Sequence, residues 1–285
     1  MAASLSTAFV TLFEAEVKQA YQGQAKLIAA GACRIRRGVE GSTVKFPKLG
    51  AGTATVRIPQ SDVTPMNVTW TQATATLTDW NAAEYSDVFN QAKVNFEERR
   101  ELVMCVASAI GRRQDQILID ALDAQTWTST VSDNIGGSDT NLNTDKCREA
   151  KRLMDAANVP SDNRHLVCHA NNMAALLGGT EATSSDFNSV KALVNGEVDT
   201  WLGFKFHMIG DRTGEGGLPK SSNNRLNWAW HRDSLGYAEG IAPKVEINYI
   251  PEKTSWLVNA LFSASAVVIE ELGGVELSLN ETDLG

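Results

Sequence analysis

The apolar positions of this chain change period several times, and the longest uniform stretch runs from Asn90 to Asp123. There Leu102, Val103, Val106, Ile110, Ile117, Leu118, Ala121 and Leu122 recur at steps of three, four and seven. That spacing predicts an α-helix with one apolar stripe. No proline interrupts it, and Gly111 is its only weak interior residue. At 1.5 Å per residue the predicted helix is roughly 50 Å long, a strut around which the chain must be arranged.

Before it, residues 5–30 predict a helix with Phe9, Leu12, Phe13, Val17 and Ala20 on one face, ended by Gly31. From Ser42 to about Thr78 the period is two. Val44 and Phe46 alternate with Thr43 and Lys45, and Ala54, Val56 and Ile58 alternate with Thr53, Thr55 and Arg57. The run Val68–Leu77 changes face near Gln72, which predicts a bulge or a sharp twist. Pro47, Gly50, Gly52, Pro59 and Pro65 punctuate these strands, as expected of edge strands and projecting hairpins. The arm has few bulky apolar residues, so it must lie on something else.

After the strut come a polar connection, Thr126–Asn143, and a helix over Thr144–Ala157 with Cys147, Ala150, Met154 and Ala157 inward. A short strand His165–His169 and short helices near Met173–Leu177 and Phe187–Leu193 follow. The strand Phe204–Ile209 precedes a loop over 210–224. The last third reads as strands at Leu226–His231, Lys244–Ile250, Trp256–Ile269 and Val275–Leu279. No internal repeat of 20 to 50 residues is present.

With 285 residues and 43% hydrophobic content the chain can bury a sizeable core. Its formal charge of −8 argues against a general nucleic-acid-binding surface. The charge is uneven: the first 100 residues hold 11 of the 26 bases but only 9 of the 34 acids. Met1–Thr7 lacks the basic end and apolar run of a signal peptide, and no 18-residue apolar stretch occurs. Cys33, Cys105, Cys147 and Cys168 are far apart, which suits a reducing compartment.

Candidate chemistry is sparse. His165, Cys168 and His169 cluster, but on a strand the two histidines share a face that Cys168 does not, so packing is favoured over a metal. Asp79, Glu84 and Asp87 lack a neighbouring nucleophile, and Asp87 reads as a helix cap. Gly214–Gly217 lacks the Lys-Ser/Thr of a phosphate loop, and Gly-Xaa-Ser-Xaa-Gly is absent. No catalytic, cofactor or metal site is expected. Arg34, Arg36 and Arg37 suit either contact with DNA or pairing with the acids of another chain.

Three stretches carry a family resemblance: Val44–Gly50 leading through Thr53–Arg57 to Leu77–Trp80; the helix with Ala109–Asp115 and Ile117–Leu122; and Asn195–Glu197, Leu202–Phe206, His231–Ala238 and Val245–Tyr249. In this order they resemble the major capsid protein of tailed bacteriophages, the Hong Kong 97 type of fold, nearest the short-tailed branch. The resemblance implies an α+β subunit with an N-terminal arm (1–40) and an extended loop (41–80). It further implies a peripheral domain with the spine helix (81–130 and 241–285) and an axial domain (131–240).

The function implied is a non-enzymatic shell subunit that forms pentamers and hexamers around double-stranded DNA. Partners implied are copies of itself, a portal, and possible decoration proteins. A separate scaffolding protein is also implied, because the chain begins almost at the arm. The implied place is the virion, after assembly in the host cytoplasm. The alternatives are an encapsulin-type nanocompartment shell and a cytoplasmic α/β enzyme. Between Gly41 and Ser61 stand Lys45, Lys48 and Arg57 and no acid. Family geometry would lay them on a neighbour's Glu97, Glu98 and Glu101 at the start of the spine helix, where acids are already favoured.

Overall fold

The computed structural model describes residues 25–91, 97–178, 200–212 and 215–282. In chain order the strands before the spine are β1 (Arg34–Arg37), β2 (Thr43–Leu49), β3 (Trp70–Thr76) and β4 (Thr78–Asp87). The one-turn α1 (Val88–Gln91) and the spine helix α2 (Glu98–Asp123) follow. Next come β5 (Thr130–Val131), α3 (Thr144–Ala156), β6 (Arg164–His169), α4 (Ala170–Gly178), β7 (Thr200–Trp201) and β8 (Phe204–Ile209). The chain then runs through β9 (Lys220–Ser221), β10 (Asn224–His231), β11 (Leu235–Ile250), β12 (Ser255–Val268) and β13 (Gly274–Asn280).

The spine has 26 residues, about 39 Å at 1.5 Å each, and starts at Glu98 rather than Asn90. Upstream, Asp87 caps α1 through a 2.7 Å bond from the Phe89 amide, a local turn that the apolar period does not reveal. Its stripe of Val106, Ile110, Ile117, Leu118 and Leu122 is buried. It packs on Val258, Ala260, Phe262 and Ala264 of β12, with Leu235 and Tyr237 of β11 and with Trp80 and Ala82 of β4. Those strands form a four-stranded sheet in the order β1-β11-β12-β4. β1 runs parallel to β11 over Gly236–Glu239 only.

A seven-stranded sheet has the order β5-β13-β10-β6-β8-β7, with β9 pairing β10. Its central strand β6 is buried at every residue. One face, with Leu166, Cys168, Phe204 and Phe206, packs on Cys147, Ala150 and Met154 of α3 and on Met173 and Leu176 of α4. The other face, with Val167, Ile209, Trp228 and Trp230, joins the core under the spine. The two sheets therefore share one core through α2.

Several elements differ from the sequence reading. β11 begins nine residues before Lys244, and the bulges lie in it, between Glu239, Ile241 and Lys244. The β2–β3 ladder has no register break at Gln72, because Ala73 and Ala75 keep one face against Phe46 and Val44. Ala54–Ile58 forms no ladder. β13 pairs with β10, so the last strand belongs to the seven-stranded sheet. Of the N-terminal helix, residues 5–24 lie outside the described residues, and Lys26–Gly31 form turns. The helix read at Phe187–Leu193 also lies outside them.

Candidate assembly surfaces

Two kinds of uncovered surface stand out. The first is the arm between β1 and β4. Its base is docked on its own body: Val44, Phe46 and Ala75 pack with Ala238, and Val39, Leu77, Val267 and Ile269 close around them. Beyond Leu49 the two sides run together, with Gly50 bonded to Thr69 and Gly52 lying against Met66 and Val68, but no ladder forms. The whole tip is bare. Val56 is 92% exposed, Val63 88% and Trp70 72%, with Ile58 and Met66 also exposed. Apolar side chains so open to water, on a segment with no core, require a partner.

The second surface lies on the four-stranded sheet. Beyond Glu239, β11 loses β1, so its outer edge has no strand partner among the described residues. Val245, Ile247 and Tyr249 pair with Ala260, Val258 and Trp256, which places them on the spine side of the sheet. All three are exposed nonetheless, because α2 covers β12, β4 and the first half of β11 and leaves the far end of β11 bare. Tyr249 and Trp256 meet with ring centroids 5.3 Å apart, and Arg99 of α2 lies 5.1 Å over the Trp256 ring.

The charged candidates fall into two groups. Lys48 makes an ion pair with Glu270 of its own chain, and Arg37 pairs with Glu239 across β1 and β11 at 3.7 Å. Arg36 donates to the Lys45 carbonyl at 3.3 Å. Glu98 accepts from Ser86 at 2.8 Å and is half-buried, as is Glu101. These contacts tie arm and spine within one subunit. Arg34, Lys45 and Arg57 are exposed without an ion-pair partner among the described residues, and Glu97 is exposed at the N-cap of α2 without a side-chain cap bond.

The other sequence candidates resolve into structure. His165 faces His207, whereas His169 lies 3.2 Å from Asp211 and 3.5 Å from Glu281, so the two histidines serve different contacts. Among the described residues no three His, Cys, Asp or Glu side chains gather as a metal set. All four cysteines are free. Burial pushes the Cys33 and Cys168 thiols up to about 12, which leaves them protonated and unreactive. On β4, Asp79 and Asp87 point to one face and Glu84 to the other. Gly216 and Gly217 serve a close approach: the Gln116 side chain accepts from the Gly217 amide at 2.7 Å, and a side chain on Gly216 would collide with it.

Sequence reading missed the junction that holds these parts together. Asp115, fully buried, accepts from the amides of Lys26 and Leu27 and from Arg212 at 3.3 Å. One carboxylate thus joins the N-terminal segment, the spine and the loop after β8. The signal was present: position 115 lies three before Leu118 and seven before Leu122, an acid on the apolar stripe. A buried charge there demands partners.

A chain whose sheets share a core while a long apolar arm stays bare is built as a subunit of a larger assembly. The sequence profile of the phage capsid protein family matches residues 5–281, and the chain belongs to that family. No curated sequence is similar enough to count as a relative. Among solved structures, the capsid of cyanophage P-SCSP1u matches with a TM-score of 0.76 and 15% identity, covering 97% of this chain and 94% of that one. Mycobacterium phage Che8 matches at 0.71 with 18% identity over 96% and 97%. The acid-stable capsid of Helicobacter pylori bacteriophage KHP30 matches at 0.78 with 9% identity over 99% and 98%. At such identities the likeness shows a shared fold, of the Hong Kong 97 type. Family and fold together make the chain a major capsid protein of a phage head.

Proposed function

We propose that this subunit closes its shell by laying the tip of its arm, residues 50–69, on the uncovered row Val245, Ile247 and Tyr249 of a neighbouring copy. The observation that carries this reading is the pair of unsatisfied surfaces: a bare apolar tip and a bare apolar row at an open sheet edge. Burying both removes apolar area from water at about 25 cal/mol per Å². The shell is of the tailed, double-stranded DNA kind with pentamers and hexamers, of the short-tailed branch, and the subunit performs no catalysis. A scaffolding protein, a portal and a decoration protein are its other partners, and assembly takes place in the host cytoplasm. Arg34 and Lys45 remain available for DNA or for a neighbour's acids.

Negative-stain microscopy of the purified protein tests the reading. The parent should form closed shells, while a chain lacking Gly50–Pro65 should stay folded and soluble without closing them. Normal shells from the deleted chain would refute it.

A further inference from the structure

Bases that folding leaves unpaired gather along one seam of the subunit. Lys205 of β8 stands beside His165 of β6, and His165 stands beside Trp230 of β10, so the three form a row across the seven-stranded sheet. Two strand spacings, about 10 Å, separate the ends of that row. Just past Trp230 comes Arg232, whose amide donates to the Asn163 carbonyl at 3.0 Å. The segment leading into β1 crosses the row: the Trp230 indole donates to the Ala32 carbonyl at 2.7 Å, and Arg34 follows beside Gly236. Arg36 takes the same side of β1 as Arg34 and donates to the Lys45 carbonyl at 3.3 Å.

Lys205, Arg232, Arg34, Arg36 and Lys45 are all exposed, and none has an ion-pair partner among the described residues. The exposed acids of the same segments are Asp162, Asp233 and Glu40, while Glu239 is taken by Arg37 at 3.7 Å. On a chain whose formal charge is −8, the seam is a local excess of positive charge. His165 reports that field: burial, and then cationic neighbours that include Lys205 and Arg232, push its imidazole down from 6.5 to about 3. Apolar anchors are scarce. The large apolar side chains exposed among the described residues belong to the arm, β4, α1, the spine, β11 and the turn at Leu272, and only Met208 belongs to the strands of this row.

We infer that, in a shell of the double-stranded DNA kind proposed above, this seam meets the phosphates of the packaged duplex. A contact with another protein needs an apolar centre, whereas a phosphate backbone is held by bases and polar groups alone. Arg34 and Arg36 stand about 7 Å apart along β1, close to two 3.4 Å steps of one DNA strand. Contacts of this kind read no bases, so the seam accepts any sequence.

Fluorescence anisotropy of a labelled DNA duplex, titrated with the full-length subunit at a series of salt concentrations, tests the seam. Binding should be independent of sequence, and log K should fall against log salt with a slope of about −4, near 0.9 for each phosphate neutralised. Arg34→Ala, Arg232→Ala and Lys205→Ala should each make the slope shallower by about one. Arg152→Ala, on the exposed side of α3, should leave it unchanged. The substituted side chains are exposed, and melting curves check that each variant keeps its fold. Negative-stain images should still show closed shells from the three seam variants, whereas the chain lacking Gly50–Pro65 should keep the parent's slope without closing shells. A deleted chain that closes shells counts against the arm contact and leaves the seam standing. Absence of binding at low salt overturns the seam, as does a slope that the three variants do not change. Seam variants that bind DNA like the parent but no longer close shells also overturn it, and give these bases to a neighbour's acids.

Discussion

The carboxylate of Asp115 accepts from the Leu27 amide at 3.1 Å, across 88 residues of chain, while its other oxygen takes the Lys26 amide at 2.7 Å. Asp115→Asn keeps the shape but leaves one acceptor oxygen for two amides, and leaves the buried Arg212 without its counter-charge. The expected loss is about 3–5 kcal/mol in chemical denaturation of the dissociated subunit. A change below 1 kcal/mol would mean that Arg212 finds another partner.

Arg57→Glu should weaken shell formation at low salt, and Glu97→Arg in the same chain should partly restore it. Arg57 is exposed on the tip and Glu97 at the spine start, and neither has an ion-pair partner among the described residues. Each exposed pair contributes about 0–1 kcal/mol, repeated at every contact of the shell. Light scattering during assembly reads the effect. Parent assembly should also weaken as salt shortens the screening length below about 10 Å. If Arg57→Glu assembles like the parent, apolar contact alone holds the tip.

Lys48→Ala should act within the subunit instead, because its partner Glu270 belongs to the same chain. A partly exposed pair of this kind is worth about 0–1 kcal/mol, so the dissociated subunit should melt slightly earlier. A large assembly defect with unchanged melting would place Lys48 at an inter-subunit contact.

Much of the fold was legible from period alone. The Phe204–Ile209 strand was read to the residue, and β10, β12, β13 and α3 to within two residues or so at each end, because one apolar face is enough to define them. The spine was read correctly from Leu102 onward, while its start at Glu98 is set by the non-helical backbone of Glu97, which the apolar period does not mark. Ala54, Val56 and Ile58 alternate as a strand should, yet form no ladder: alternation declares a face, and no strand among the described residues pairs with it. Lys48, Glu98 and Arg37 carried the right charges, but sequence could not tell an own-chain partner from a neighbour's. The first half of β11, including Gly236 and Gly240, lacks a strand signature and is a strand because β1 and β12 flank it.

Lys146 offers a test in alkali. It is fully buried in α3, its ammonium bonded to the Thr140 carbonyl, and burial pushes its pKa down from 10.5 to about 8. Its folded form sheds a proton that the unfolded chain keeps, so stability should rise between pH 8 and 10.5. Lys146→Met should abolish that rise and cost little at pH 7, because Asn280 still donates to the Thr140 carbonyl. Parallel denaturation curves for both proteins across this range would count against the assignment.

On the proposed arm contact, the bare tip also sets the tempo of assembly. Fixing about 20 residues that gain little from their own subunit costs about 1–2 kcal/mol each in chain entropy. The first two copies to meet bear that loss with few contacts in return, whereas a copy entering a partly closed ring orders one tip while its own surface receives another. Shell growth should therefore show a lag and a threshold concentration, both of which shrink when the tip is stiffened. The ordering cost of the tip is then the brake that keeps subunits apart until enough of them are present to finish a particle.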